Sequence, residues 1–253
     1  MNAAKELADT AAIVTGSTGL LGRAIAVQLA DAGAMVLINA RTSADAANAV
    51  VKEIEASGGQ AIAHLADVTM PEEVPEEVEG MVDVAIKSFG RLDILVNNVG
   101  GNIPGPVTQI SYDDWCRVTR RVLDGAFLCT KYAVPHLAKH VRGAIINIGA
   151  SFAHAGVANS SAVTAAKVGL AGLTGSLAVE LAAQEITVNC VAPGRIERPG
   201  TPPAHYREMP VPVGREGKVE ELVAMARFLC GPQSRFTTGQ TFHVNGGWYV
   251  SIN

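Results

Sequence analysis

A glycine-rich turn near the amino terminus has the residue types and spacing of a phosphate-binding site. It lies between a short apolar run, Ala11–Val14, and a helical pattern that begins at Leu20. Glycines let the chain turn tightly and approach a pyrophosphate, and the free N–H groups of a helix N-terminus attract anions. Three glycines alone are a weak signal, but a strand before them and a helix after them predict a dinucleotide site. The residues expected to bind the cofactor here are Gly16, Ser17, Thr18, Gly19, Leu21 and Gly22.

The end of the second predicted strand bears on which dinucleotide binds. The chain reads Leu37-Ile38-Asn39-Ala40-Arg41, with no Asp or Glu to accept a hydrogen bond from a ribose 2′-hydroxyl. Arg41 instead offers a guanidinium to a 2′-phosphate. The pattern therefore favours NADP over NAD. The alternative interpretation is that Arg41 is a solvated loop residue that binds no phosphate.

Lys167 is the ionisable residue most suited to a role in such a site. It lies in the apolar helical segment Ser161–Ala183, where a buried ammonium without a partner is costly. The alternative is a lysine whose long side chain reaches solvent. One helical turn before it stands Val163, which cannot exchange a proton. The tyrosines of the chain lie outside this helix and are Tyr112, Tyr132, Tyr206 and Tyr249.

The elements that must position these residues alternate between strands and helices. Seven strands are predicted, at Ala11–Val14, Ala34–Ile38, Ala61–Leu65, Leu92–Val96, Ala144–Ile148, Thr187–Val191 and Gln240–Val244. Helical patterns lie between them, including Leu20–Ala32, Ser43–Ser57, Glu76–Phe89, Asp113–Val141 and Ser161–Ala183. Such alternation predicts a single α/β domain over residues 1–253, with a doubly wound (Rossmann) seven-stranded parallel sheet.

An irregular segment follows the sixth predicted strand. It runs from Gly194 to Gly214 and contains five prolines without apolar periodicity. A long irregular stretch in a compact domain is often a functional lid. We therefore expect a lid at about residues 195–215, over the carboxyl edge of the sheet, where ligands bind in such folds.

The composition narrows the class of protein. The chain has 253 residues, of which 48% are hydrophobic and 17% charged, and its net charge is −4. This balance gives no reason to expect a nucleic-acid or membrane partner. Four scattered cysteines have no metal or redox spacing, so no metal site is expected. Without a signal-peptide pattern or a run of about 18 apolar residues, the sequence predicts a cytoplasmic protein.

A set of short motifs resembles those of the short-chain dehydrogenase/reductase family across essentially the whole chain. They are Thr15-Gly16 with Gly22, Asp67-Val68-Thr69, Leu95-Val96-Asn97-Asn98-Val99-Gly100, Lys167, Val188-Asn189, Ala192-Pro193-Gly194 and Val244-Asn245-Gly246-Gly247. In this order and spacing they are highly specific. One departure is Leu20, which stands where ordinary members have glycine, and the resulting glycine spacing resembles that of the family's extended branch.

The resemblance implies further contacts to the cofactor. Asp67 would accept a hydrogen bond from the adenine amino group, with the backbone of Val68 beside it. Asn98, Gly100 and Lys167 would line the ribose on the nicotinamide side. The residues that would border the nicotinamide are Pro193, Gly194 and Ile196.

The same resemblance exposes missing catalytic groups. The family's tyrosine, four residues before the lysine, is replaced by Val163, and its asparagine position falls on Val122. Aligned without a gap, the serine position falls on Ala150. Ser151 takes that place only if the following loop is one residue shorter than usual. A positioned acid or base contributes roughly 10²–10⁴ in rate, so these losses should cripple ordinary carbonyl reduction.

Several residues are candidates for the missing proton donor. His154 lies in the predicted loop that faces the substrate in the family, and imidazole titrates near neutrality. Ser160 and Ser161 are more typical of helix caps, and Tyr206 lies in the predicted lid. At the mouth of the site the chain places three charges that could receive a polar or anionic substrate or pair with one another in solvent, namely Arg195, Glu197 and Arg198.

Three functions remain open from the sequence. The favoured one is an atypical NADP(H)-dependent oxidoreductase for a small carbonyl, imine or activated alkene, whose proton comes from His154, water or the substrate. The second is a lyase or isomerase that performs non-redox chemistry in the same pocket. The third is a catalytically silent protein that binds the cofactor.

The resemblance also implies self-association. The helices Asp113–Val141 and Ser161–Ala183 correspond to those that form four-helix dimer contacts in the family, and the tail Gly246–Tyr249 often packs near a subunit interface. A homotetramer or homodimer is therefore expected. Trp248 and Tyr249 are interpreted as contact residues rather than catalytic ones.

Overall fold

A seven-stranded sheet forms the centre of the computed structural model, which describes residues 5–69, 74–140, 142–198, 200 and 210–250. The strands are β1 (Ala11–Val14), β2 (Met35–Ala40), β3 (Gln60–Leu65), β4 (Ile94–Asn97), β5 (Ala144–Ile148), β6 (Thr187–Pro193) and β7 (Thr241–Val244). Their order is β3-β2-β1-β4-β5-β6-β7, and every pairing is parallel. This order confirms the predicted doubly wound α/β sheet.

Helices connect the strands and cover both faces of the sheet. They are α1 (Leu20–Asp31), α2 (Ala44–Ala56), α3 (Val74–Phe89), α4 (Tyr112–Thr119), α5 (Gly125–Leu137), α6 (Ser151–Ala155), α7 (Ser161–Leu181) and α8 (Val219–Cys230). One core cluster joins the sheet to α1, α2 and α8, and includes Ile25, Leu29 and Val223. A second cluster joins it to α3, α5 and α7. The strands are therefore apolar on both faces, as buried parallel strands require.

The helix predicted over Asp113–Val141 differs from the structure. Helices α4 and α5 are separated by a π-helical turn at Arg120–Asp124, where Gly125 N–H donates to Arg120 O, five residues earlier. Helix α5 then ends at Leu137. The chain is tightly packed directly after this turn, because a Cβ at Gly125 would clash with Val68 O. Apolar periodicity continues through such a turn and does not reveal it.

Helix α7 is apolar enough, by length and composition alone, to cross a membrane. In the domain it packs instead against β6 and α4, and its buried residues contribute to two core clusters. It also carries Lys167, which is buried. Its composition is thus explained by its position in the core.

Candidate functional site

The glycine turn between β1 and α1 is built for close approach. Gly16 has a φ of +59°, a left-handed conformation that favours glycine. A Cβ at Gly22 would lie 2.5 Å from both Gly16 O and Asn98 Nδ2. The Asn98 amide donates to Thr15 O at 2.9 Å and to Gly16 O at 3.2 Å, which fixes the turn against β4. Any side chain at position 22 would displace this arrangement.

Helix α1 presents its N-terminus at this turn. Gly19 is the N-cap residue, and no side chain of the described chain caps it. Orphan N–H groups at a glycine-lined helix start are suited to a pyrophosphate, so the turn fits a dinucleotide. Ser17, which was expected to contact the cofactor, is hydrogen-bonded to the end of β2 instead. Its N–H donates to Asn39 O and its hydroxyl accepts from Asn39 N–H.

The adenosine end of the expected site lies at the carboxyl ends of β2 and β3. Arg41 is exposed directly after β2 and forms no ion pair within the described part of the chain. The Asp67 carboxylate accepts from Thr69 N–H at 2.8 Å and from the Thr69 hydroxyl at 2.6 Å. Val68 is buried beside it. The structure therefore places Arg41 and Asp67 at one sheet edge, where both were expected.

Lys167 is buried at the centre of the site. Its ammonium donates to Ile148 O at 2.5 Å, and a Cβ at Gly100 would lie 3.4 Å from its Nζ. Burial lowers the pKa of Lys167 from 10.5 to about 8, and the interaction with the nearby Cys190 side chain opposes this change. The lysine therefore does not reach solvent. It joins the ends of β4 and β5, beside the turn expected to hold the ribose.

Apolar side chains occupy the positions that resemble the family's catalytic ones. Val163, one turn before Lys167 on α7, packs with Val122 of the π-helical turn in one buried cluster. Ala150, directly after the glycine that follows β5, is also buried. None of these three side chains exchanges a proton. Among the described tyrosines, Tyr112 is on α4, Tyr132 on α5 and Tyr249 near the end of the chain.

Ser151 faces the edge of the sheet and is fully buried. Its hydroxyl donates to Ala192 O at 2.9 Å and lies 3.1 Å from His243 Nδ1. These contacts direct it toward β6 and β7. Its role at the substrate carbonyl stays a prediction, and its side-chain partner is a histidine.

His154 lies on α6 rather than in a loop, and it is half-buried. Its ring centroid is 4.8 Å from that of His243 and 5.7 Å from that of Tyr249. Burial lowers its pKa. The structure thus joins two predicted residues, Ser151 and His154, through His243, which sequence reasoning missed. The available signal was a lone polar residue between two apolar residues, Phe242 and Val244, which are partly buried against the core.

The carboxyl end of β6, the predicted nicotinamide border, packs closely on the segment around the end of β7. Gly194 N–H donates to Val244 O at 2.9 Å, and a Cβ at Gly194 would lie 2.5 Å from Asn245 Cα. Ile196 is buried against the core that includes α8 and pairs with Gly217. Pro193 and Gly194 are partly exposed at the end of the strand, whereas Ile196 is buried.

The predicted lid is described only at its two ends. Residues 195–198, 200 and 210–215 are seen, and Tyr206 lies outside the described residues. The guanidinium of Arg195 lies 5.5 Å from the Trp248 ring, and Val213 N–H donates to Gly246 O. The base of the segment therefore packs on the carboxyl-terminal tail. A separate cleft of about 330 Å³ opens beside Thr164, large enough for a small molecule.

Comparisons with known proteins agree with this geometry. A family model described as enoyl-(acyl carrier protein) reductase matches residues 17–249. The chain is 38% identical over 239 residues to a 3-oxoacyl-[acyl-carrier-protein] reductase of Synechocystis, with 93% of this chain and 95% of the relative covered.

Solved structures give the same result. The crystal structure of a double mutant of a Serratia marcescens short-chain dehydrogenase/reductase has a TM-score of 0.89 at 31% identity, and covers 97% of this chain and 100% of that one. A blue fluorescent protein from a metagenomic library, solved in complex with NADPH, has a TM-score of 0.89 at 33% identity, with 97% and 100% covered. The chain therefore belongs to the short-chain dehydrogenase/reductase family, whose members are NAD(P)-binding oxidoreductases.

Proposed function

We propose that this protein is an NADP(H)-dependent oxidoreductase that acts on a small carbonyl compound, imine or activated alkene without the family's tyrosine. The observation that carries the proposal is the contrast between Lys167 and Val163, which lie one turn apart on α7. Lys167 is held in place by Ile148 O beside Gly100, whereas Val163 is buried in an apolar cluster one turn earlier. A cofactor lysine has been kept in a site that lacks the usual acid.

The chain's own residues would bind the cofactor in three places. The uncapped start of α1 would receive the pyrophosphate, Asp67 the adenine, and Lys167 the ribose on the nicotinamide side. The bound cofactor supplies or accepts a hydride. The protein has to orient the substrate at the carboxyl end of β6, exclude water there and exchange one proton.

The preference for NADP rests on Arg41. It lies exposed at the end of β2, and Asn39 is the polar side chain before it. That amide is already committed, because it accepts from Gly16 N–H and donates to Ala66 O. The residues that end β2 and follow it, Asn39, Ala40 and Arg41, include no carboxylate that would repel a phosphate. The related protein solved with NADPH supports the same choice.

The substrate classes follow from the missing acid. A carbonyl oxygen needs a proton as it gains negative charge, and losing a positioned acid costs roughly 10²–10⁴ in rate. An imine is protonated more readily than a ketone, and an activated alkene delocalises its charge onto a remote group. Both depend less on a tyrosine. A 3-oxoacyl thioester belongs in any test because a relative carries that activity in its name.

The proposal is tested by following oxidation of NADPH with ketones, 3-oxoacyl thioesters, cyclic imines and activated alkenes. Lys167→Ala is the control, and NADPH binding is measured separately by fluorescence. We expect turnover in the wild type, with one NADPH consumed for each product formed.

Two outcomes would refute the proposal. Binding of NADPH without turnover above that of Lys167→Ala would indicate a catalytically silent cofactor-binding protein. Product formed without consumption of cofactor would indicate a lyase or isomerase.

A further inference from the structure

Four side chains that come from distant parts of the sequence form one contact group, here named the histidine cluster. Its members are Ser151 and His154 on α6, His243 on β7, and Tyr249 in the tail. The ring centroids of His243 and Tyr249 are 4.7 Å apart, and those of His154 and His243 are 4.8 Å apart with an interplanar angle of 87°. The described tail thus brings a tyrosine onto two histidines.

Hydrogen bonding fixes the state of His243. Ala192 O can only accept, so the Ser151 hydroxyl donates its single proton there, at 2.9 Å. The same oxygen then accepts from His243 Nδ1, which lies 3.1 Å away. This arrangement satisfies every partner and assigns the Nδ1–H tautomer to His243. Its Nε2 is therefore the basic nitrogen.

The cluster lies at the strand end that borders the expected nicotinamide site. His243 is in register with Ala192, and the next pair in the register is Val244 with Pro193. Gly194 then donates to Val244 O. On α6, Ser151 directly follows Ala150, the residue at the family's serine position. The cluster is thus in contact with both segments that flank a substrate.

One atom of the cluster lacks a partner. His154 Nε2 is buried and makes no hydrogen bond in the described protein, and a buried polar atom left unpaired destabilises the folded protein. Such a cost is retained where a ligand completes the bond. We propose that a substrate oxygen or nitrogen is that partner, and that His154 exchanges the proton that the missing tyrosine would have exchanged, with His243 and Ser151 as positioning residues. This inference rests on the proposed oxidoreductase function.

The proton transfer balances as follows for a carbonyl. The carbonyl carbon gains a hydride, with its two electrons, from the reduced cofactor, and the C=O π bond breaks. The oxygen takes the proton from His154 Nε2–H and becomes a hydroxyl. His154 is left neutral, and bulk water restores its proton. In the oxidative direction neutral His154 accepts the hydroxyl proton while the carbon gives up its hydride.

The tail positions Tyr249 against the two rings. The Asn245 amide donates to Tyr249 O at 2.7 Å, and its oxygen accepts from Gly247 N–H at 2.9 Å. Gly246 and Gly247 have φ values of +61° and +84°, so the turn needs glycine at both positions. The base of the lid segment contacts this turn through Val213. The residues interpreted from sequence as subunit contacts therefore also belong to the site.

The test is chemical rescue of His154→Ala. Removing the ring should lower kcat/KM by roughly 10²–10⁴, and imidazole in the buffer should restore turnover because it can occupy the vacated space. His154→Phe keeps the aromatic packing but should be neither active nor rescued. The control His140→Ala alters a histidine three residues after the end of α5, outside the cluster, and should leave activity unchanged.

Two results would overturn the proposal. One is full activity in His154→Ala, and the other is a loss that imidazole does not reverse in a variant that folds and still binds NADPH. Either result leaves the proposed function intact if the wild type turns over, so the two failures are distinguishable.

A second measurement needs no turnover. Nitrogen-15 NMR of the histidine side chains reports tautomers and titration. We expect His243 to be the Nδ1–H tautomer in the wild type and to lose that preference in Ser151→Ala. We also expect protonation of His154 to suppress that of His243. Independent titration of the two rings, or an Nε2–H tautomer of His243, would show that the cluster is not a unit.

Discussion

The ammonium of Lys167 donates to the main-chain carbonyl of Ile148 at 2.5 Å while 93% of the residue's surface is buried. No carboxylate of the described chain forms an ion pair with it. A buried ammonium without a carboxylate partner destabilises the folded protein, but it is well placed to donate to a bound ribose. This relationship supports the proposal that Lys167 binds the cofactor.

Replacing Lys167 with Met should change how stability depends on pH. The folded-state pKa of about 8, against 10.5 for the free side chain, means that the unfolded chain binds more protons between these values. Stability therefore rises with pH in that window, and burial of the charged form is costly below it. At about 1.4 kcal/mol per unit of pKa, the wild type should gain roughly 2 kcal/mol relative to Lys167→Met between pH 7.5 and 9.5.

Urea unfolding at the two pH values measures this difference. A stability difference that stays constant would show that the lysine is not buried as a cation. Binding of NADPH, followed by fluorescence, should be lost in the variant, since a ribose contact disappears with the ammonium.

Gly22→Ala should abolish cofactor binding. The added Cβ would meet Gly16 O and Asn98 Nδ2 at 2.5 Å, and neither atom can move without opening the turn. Gly80→Ala is the matched control, because a Cβ on that glycine of α3 meets nothing within 4 Å. The control should be stabilised by about 0.5–1 kcal/mol, as for Gly to Ala within a helix. Thermal unfolding with and without NADPH separates the two variants, and NADPH stabilisation that survives in Gly22→Ala would contradict the assigned role of the turn.

Arg41→Ala should weaken NADPH more than NADH. A charge-assisted hydrogen bond is worth about 1.5–3 kcal/mol, so the Kd for NADPH should rise roughly 10- to 100-fold. The Kd for NADH should not change. Arg117→Ala is the control, because that arginine pairs with Asp114 on α4. Titrations at low ionic strength give both constants, and an equal effect on the two cofactors would assign Arg41 to the solvated loop instead.

The sheet and the cofactor edge could be predicted because their signals are local. Apolar strands such as Ala144–Ile148 were identified with their exact bounds, and the glycine turn has a strand before it and a helix after it. The tight packing after the π-helical turn was not predictable, because the carbonyl that lies against Gly125 is that of Val68, far away in sequence. The apolar periodicity of the helix does not depend on that contact and cannot predict it.

The histidine cluster was missed for a similar reason. His154 and His243 are separated by the whole of α7, β6 and α8, and they meet only because β7 pairs with β6. Tyr249 in the tail reaches both rings because of the turn at Gly246 and Gly247. In the sequence these two glycines indicate only a family motif. His154 was identifiable from the sequence as a candidate proton donor, but its contacts with His243 and Tyr249 were visible only after folding.

Tyrosine placed at Val163 should make the histidine dispensable. In the His154→Ala background, Val163→Tyr with Ala150→Ser restores an acid one turn before Lys167 and a hydroxyl after β5. Carbonyl reduction should return, whereas Val163→Phe with Ala150→Ser adds the same bulk without the acid and should not restore it. Overpacking this buried cluster costs about 1–3 kcal/mol, so NADPH binding and thermal unfolding must first show that each variant folds. A folded tyrosine variant without activity would mean that more than the acid is missing.

Reduction and oxidation should depend on pH in opposite ways. Burial holds the pKa of His154 below 6.5, and burial together with the charge of His154 does the same for His243. The rings that face His154 are those of His243 on β7 and Tyr249 in the tail. Ser151 contacts His243, and Arg195 stacks on Trp248 next to Tyr249. None of these is a carboxylate that would raise the pKa.

Reduction needs protonated His154, so kcat should increase as pH falls through a pKa below 6.5 and level off beneath it. Oxidation needs the neutral ring, so its kcat should increase with pH and level off above the same value. Profiles of kcat measured in both directions with one substrate pair test this, with His140→Ala as the control. The residual activity of His154→Ala should show no such inflection in either direction. An inflection near 8 that disappears in Lys167→Met would instead identify the lysine as the group that exchanges the proton.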